Sequence, residues 1–69
     1  MNAKEAADFG VKHFGKDRMV SKVMREKIET QRLIDREMRY SAEMRNVDLI
    51  SSYNAHIQHL DNILAMVAH

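Results

Sequence analysis

The stretch Arg39-Tyr40-Ser41-Ala42-Glu43-Met44-Arg45-Asn46-Val47-Asp48-Leu49 decides the fold. It joins two segments with helical apolar patterning, and it holds neither glycine nor proline. Read as helix, it carries one rod from about residue 18 to 67, roughly 75 Å long at 1.5 Å per residue. Read as a break near Asn46-Val47-Asp48, with Asp48 capping a second helix, it folds the halves into a hairpin. Antiparallel helical hairpins close with short loops that need no glycine, so both forms stay open at this level.

Outward from that stretch the pattern is helical throughout. The 69 residues include no proline and two glycines, and both glycines precede position 16. Residues 18 to 69 therefore lack the usual turn residues, which points to an all-α protein. Placed at about 100° per residue, Val20, Val23, Met24, Ile28, Ile34, Met38, Ala42, Leu49, Tyr53, Ile57, Leu60, Ile63, Leu64 and Val67 fall on one stripe. Met38, Ala42, Leu49, Tyr53, Leu60 and Leu64 alternate steps of four and seven, an eleven-residue repeat that keeps a seam on a nearly straight helix. Lys27, Gln31, Asp35, Arg45 and His56 interrupt the stripe and are expected at its edge, with their charged or polar ends in water.

A shorter helix comes first. Asn2 and Glu5 have capping-box spacing, and the expected helix runs from about Ala3 to Phe14. Gly10 inside it costs about 1 kcal/mol relative to alanine. Gly15 suits the left-handed position that ends a helix, and Asp17 suits the cap of the next one. Twelve residues span only about 18 Å, too little to cover the long stripe. The remainder would be a large apolar patch on a monomer, so a homodimeric bundle or coiled coil is expected. Its interface is expected to include Val20, Met24, Ile28, Ile34, Met38, Leu49, Tyr53, Ile57, Leu60 and Leu64.

Composition excludes several classes. No cysteine is present, so disulfides, thiolate metal sites and cysteine nucleophiles are ruled out. No glycine-rich phosphate loop, nucleophile elbow or paired-carboxylate motif occurs, and Ser41, Ser51 and Ser52 sit among ordinary side chains; an enzyme is not expected. His56 and His59 are three apart, but no carboxylate stands at a matching offset, so neither a metal nor any other cofactor is expected. No secretory leader or membrane span is expected, and the chain reads as a soluble intracellular protein.

Two surface features remain. Residues 12 to 45 carry ten Lys/Arg and six Asp/Glu, whereas residues 46 to 69 carry only Asp48 and Asp61. Arg18, Lys22, Arg25, Arg32 and Arg36, with Arg39 nearby, form a basic ridge opposite the stripe. Glu26, Glu29 and Glu43 stand four residues after Lys22, Arg25 and Arg39 and can pair with them, so a solvated face is the expected reading and nucleic acid is not an expected partner. The second feature is a patch of Leu33, Tyr40, Met44 and Val47 beside Arg36 and Arg39. Aromatic, Met and Arg side chains together are what protein interfaces favour at their centres. Leu33, Arg36, Arg39, Tyr40 and Met44 are thus the candidate partner-binding residues, with structural packing as the competing reading.

The segments Tyr40-Ser41-Ala42-Glu43-Met44-Arg45-Asn46 and Tyr53-Asn54-Ala55-His56-Ile57-Gln58-His59-Leu60-Asp61, with the chain length and short first helix, carry a resemblance. The chain resembles the small anti-quorum-sensing proteins made early in infection by Mu-like Pseudomonas phages. The likeness covers most of the chain but rests on size and helical segments, not on a ligand-binding signature. It implies a helical homodimer in the host cytoplasm that inhibits host proteins by binding them. The implied targets are a LuxR-type quorum-sensing activator, whose DNA binding it would block, and the ATPase that drives type IV pilus assembly. Two other readings stand beside it: a small dimeric DNA-associated regulator using the basic ridge, and a structural adaptor coiled coil.

Overall fold

The computed structural model describes residues 2–68 and is all-helical. Three helices follow one another: α1 (Ala3–Phe14), α2 (Lys16–Met38) and α3 (Val47–Ala68). The hairpin is the form adopted. α2 and α3 lie side by side, and α1 packs against both at one end.

Each boundary has a local cause. Asn2 Oδ1 accepts the Glu5 backbone N–H at 2.8 Å, the N-cap bond expected from the sequence. The returning bond from the Glu5 side chain is not among the described hydrogen bonds. Gly15 has φ +83° and ψ 160°, a region open essentially to glycine alone. It ends α1 through a bond from its N–H to Val11 O (2.9 Å), and its own carbonyl accepts from Met19 N–H (3.0 Å). One residue thus serves as both the end of α1 and the cap of α2. Asp17, expected to be that cap, lies inside the first turn of α2, where its carboxylate favours the positive end of the helix.

The stop after Met38 is built by side chains. The Arg45 guanidinium donates from Nε to Tyr40 O (2.9 Å) and from a terminal nitrogen to Met38 O (3.1 Å). Glu37 Oε1 accepts the Asn46 N–H at 2.8 Å. Asn46 Oδ1 accepts the Leu49 N–H at 3.0 Å, so Asn46, and not Asp48, caps α3. These bonds occupy carbonyls and N–H groups that a helix end leaves without partners. They replace the glycine or proline that closes most such turns. Ala42, placed on the apolar stripe by an unbroken helix, lies exposed in the loop, and the eleven-residue seam does not exist across it.

The core sits at the three-helix end. Ala7, Met19, Val23, Leu60, Ile63 and Val67 are buried together, with Ala3, Ala6, Val20 and Leu64 packed at the margin. Gly10 is buried because Met19 lies on it: a Cβ there would overlap Met19 Sδ and Cε. Its helix-propensity cost therefore goes with close approach of α1 to α2. Towards the loop the hairpin is two helices thick, and Ile34 and Thr30 are its buried residues on α2. The Thr30 hydroxyl donates to Glu26 O at 2.9 Å, which satisfies the buried oxygen.

Candidate partner-binding surfaces

The molecule presents surfaces, and it is elongated. Its principal extents are 44 × 19 × 17 Å, with a radius of gyration of 14.0 Å, against about 11 Å for a compact domain of this length. It exposes 5275 Å², whereas a compact monomer of its mass exposes about 4,500 Å². The excess has two main sources, the open face of the hairpin and its tip.

The open face comes from dividing the stripe. Ile34 and Leu60 were expected at a dimer interface, but they are buried within the single chain at 7% and 3% exposure. They face the neighbouring helices of their own hairpin, so they leave the interface set. Val20, Tyr53, Ile57 and Leu64 are half-buried at the same seam. Met24, Ile28, Met38 and Leu49 stay exposed. On α2 the side chains of Met24 and Ile28 lie about 100° or more around the helix from buried Met19 and Val23, which touch α1 and α3. Met24, Ile28 and Gln31 line a groove of about 310 Å³ against Leu64 of α3, with Lys27 at its side.

Two polar pairs fasten α2 to α3. Lys27 Nζ meets Asp61 Oδ1 at 2.6 Å, and His56 Nε2 meets Glu26 Oε1 at 2.9 Å. Both pairs are partly exposed, a setting in which such contacts contribute about 0–1 kcal/mol each. Lys27 and His56 therefore interrupt the stripe as edge contacts. Gln31 and Asp35, one helical turn apart, bond to each other on the exposed surface of α2. His56 is directed at Glu26, and no group of three or more metal-ligating side chains occurs among the described residues.

The tip carries the candidate partner-binding residues, though not on one helix. Leu33 and Arg36 occupy the last turns of α2, Arg39, Tyr40 and Met44 lie in the loop, and Val47 opens α3. Their seven-four-three spacing assumed a helix that stops at Met38, so helical register does not assemble them. The turn gathers them at one end of the hairpin instead. All are exposed: Met44 at 73%, Val47 at 68% and Tyr40 at 52%. Tyr40 is therefore not a core residue of the single chain.

Sequence reasoning missed the residues that hold this tip in shape. Arg45 was placed on the stripe, and Glu37 was noted only as a neighbour of the patch. An Asn directly preceding an apolar run (Asn46 before Val47 and Leu49) is a recognisable cap signal, but the Arg45 bonds depend on a loop geometry that spacing does not reveal.

Fold and surface together define a class: a small all-α protein built on a helical hairpin with one face braced by a third helix. No family model, curated protein or solved structure matches the chain. No helix among the described residues is long and apolar enough to cross a membrane.

Proposed function

We propose that this chain is a non-enzymatic inhibitor that acts by occupancy, docking the hairpin tip on a regulatory protein and covering a surface that protein needs. One observation carries the reading. Three large apolar side chains stand half or more exposed at the tip, Tyr40 and Met44 on a loop whose backbone is bonded by Arg45, Glu37 and Asn46, and Val47 at the start of α3. A pre-ordered loop loses little conformational entropy on binding, so apolar area on it converts to affinity more fully. Arg36 and Arg39 flank it and supply directional pairing to carboxylates. Met44 adds a side chain that adapts to more than one partner surface.

The same reading takes the chain as a homodimer across the open face of the hairpin. That face carries part of the chain's surface excess of roughly 800 Å² over a compact monomer. Met24, Ile28, Met38 and Leu49 supply the apolar centre of that contact. The resemblance to the phage anti-quorum-sensing proteins names the targets to try, in the host cytoplasm: the DNA-binding domain of a LuxR-type activator and the type IV pilus assembly ATPase.

The test is displacement from DNA. A LuxR-type activator bound to labelled operator DNA is titrated with the purified protein, and the free DNA is read by gel shift. Release near one equivalent is expected. The Tyr40→Ala/Met44→Ala variant, with unchanged helical circular dichroism, is expected to need roughly 30-fold more protein, the loss of about 2 kcal/mol typical of an interface centre. An activator–DNA complex untouched at large excess, together with an unchanged pilus ATPase rate, defeats the reading.

A further inference from the structure

Apart from Arg36, the basic ridge of α2 is left unused by this function. In the sequence its charge looks neutralised, because Glu26 and Glu29 follow Lys22 and Arg25 by four residues. The structure distributes those acids differently. Glu26 meets His56 Nε2 of α3 at 2.9 Å while still lining a groove with Lys22, Arg25 and Glu29. Asp35 accepts from Gln31, and Glu37 accepts from the Asn46 backbone. These bonds orient three carboxylates of α2 without cancelling their charge, and neither described ion pair includes Arg18, Lys22, Arg25, Arg32 or Arg36.

The five cations follow helical spacing along one exposed side of α2, over about 27 Å from Arg18 to Arg36 at 1.5 Å per residue. Glu29 stands in the row and Asp17 at its head, so the ridge keeps a net positive charge. Lys22 is held in place, its ammonium 4.7 Å from the centre of the Phe14 ring. Arg18, Ser21, Lys22 and Arg25 line a shallow open groove of about 300 Å³ with Asp17.

The partner class follows from what the ridge lacks. Protein interfaces place apolar and aromatic side chains at the centre and are depleted of charge there. Between Arg18 and Arg32 the middle of this side of α2 offers Ser21, Glu29 and cations, and the exposed apolar side chain nearest to it, Ile28, stands at its edge towards the open face. Contact with a phosphate backbone needs no apolar centre, because its free energy comes from released counterions and charge-assisted hydrogen bonds. We propose that the outer side of α2 binds the sugar-phosphate backbone of nucleic acid without reading its sequence. From Arg18 to Arg32 it lies on a different side of α2 from the open face and away from the loop, and only Arg36 is shared with the tip of the inhibitor reading.

Fluorescence anisotropy of a labelled 20-base-pair duplex of arbitrary sequence tests this, with sodium chloride varied from 50 to 200 mM. With about three phosphates neutralised, the logarithm of affinity falls against the logarithm of salt with a slope near −2.7, roughly a 40-fold loss across that range. Arg25→Glu and Lys4→Glu change the net charge equally, but only Arg25 lies on the ridge. Arg25→Glu is expected to cost tenfold or more, and Lys4→Glu less than threefold, with both variants fully helical by circular dichroism. No binding at 50 mM salt overturns the proposal. So does an equal loss in the two variants, which indicates bulk charge alone. Binding of poly-glutamate without binding of the duplex also overturns it, by giving the ridge to an acidic protein.

Discussion

The two ends of this hairpin are built on different principles. At the α1 end three helices converge, and apolar side chains from all three close over Leu60. At the loop end two helices meet, and the shape is kept by hydrogen bonds from Arg45, Glu37 and Asn46 to the backbone. Burial of apolar surface is worth about 25 cal/mol per Å², whereas exposed hydrogen bonds gain little over their bonds to water. Stability therefore belongs to one end and defined shape to the other. On this division, substitutions of the exposed side chains at the loop end are expected to cost the fold little.

The largest expected effect tests that division directly. Leu60→Ala removes a 3%-exposed side chain from the centre of the core, a change that costs about 2–5 kcal/mol. A single core at this chain length rarely supplies more than about 3–5 kcal/mol, so the variant is expected to lose its cooperative urea transition at 25 °C by circular dichroism. Ile34→Ala, in the two-helix half, is expected to lower the midpoint but keep the transition, since the neighbouring side chains can close over the gap. Equal losses at the two sites would mean that both ends carry the stability alike. Below these comes Gly15→Ala. Its backbone at φ +83° and ψ 160° admits glycine and strains alanine by about 1–3 kcal/mol. Because Gly15 joins α1 to α2, the loss should appear first as faster hydrogen exchange in α1, ahead of α2 and α3.

The boundary at Gly15 and the cap at Asn2 were legible because each is a local event, settled within one turn of chain. The all-α class was legible for a similar reason: proline-free helical periodicity allows little else. The hairpin was legible only as an alternative. The apolar phase is the same on both sides of the loop, so Met38, Ala42 and Leu49 read as one seam although the helix stops between them. What stops it is a set of contacts from Arg45 back to Met38 and Tyr40, whose geometry exists only once the chain has turned. Periodicity also says which side chains leave water, without saying what covers them. Ile34 and Leu60 were therefore assigned to a second copy, when the chain's own helices bury them. Tyr40 and Met44 were singled out by residue type and are exposed at the tip, although the helical spacing that first grouped them does not hold there.

The smallest effect separates shape from stability. Asn46→Ala removes the side chain that accepts the Leu49 N–H and so costs the cap, about 1 kcal/mol in a helix that depends on it. Here the first turn of α3 bears little of the core: Leu60, Ile63 and Val67, its buried residues, all lie in its second half. The loss should therefore fall on local opening. Faster hydrogen exchange is expected for Leu49 and Ile50, whose N–H groups bond to Asn46, with exchange at Leu60 and Ile63 nearly unchanged. The urea midpoint should move by less than the full cap value. If it moves by all of it, the tip and the core unfold as one unit. A fixed loop that can nevertheless open on its own is then not a property of this protein, and the docking surface cannot be altered without cost to the fold.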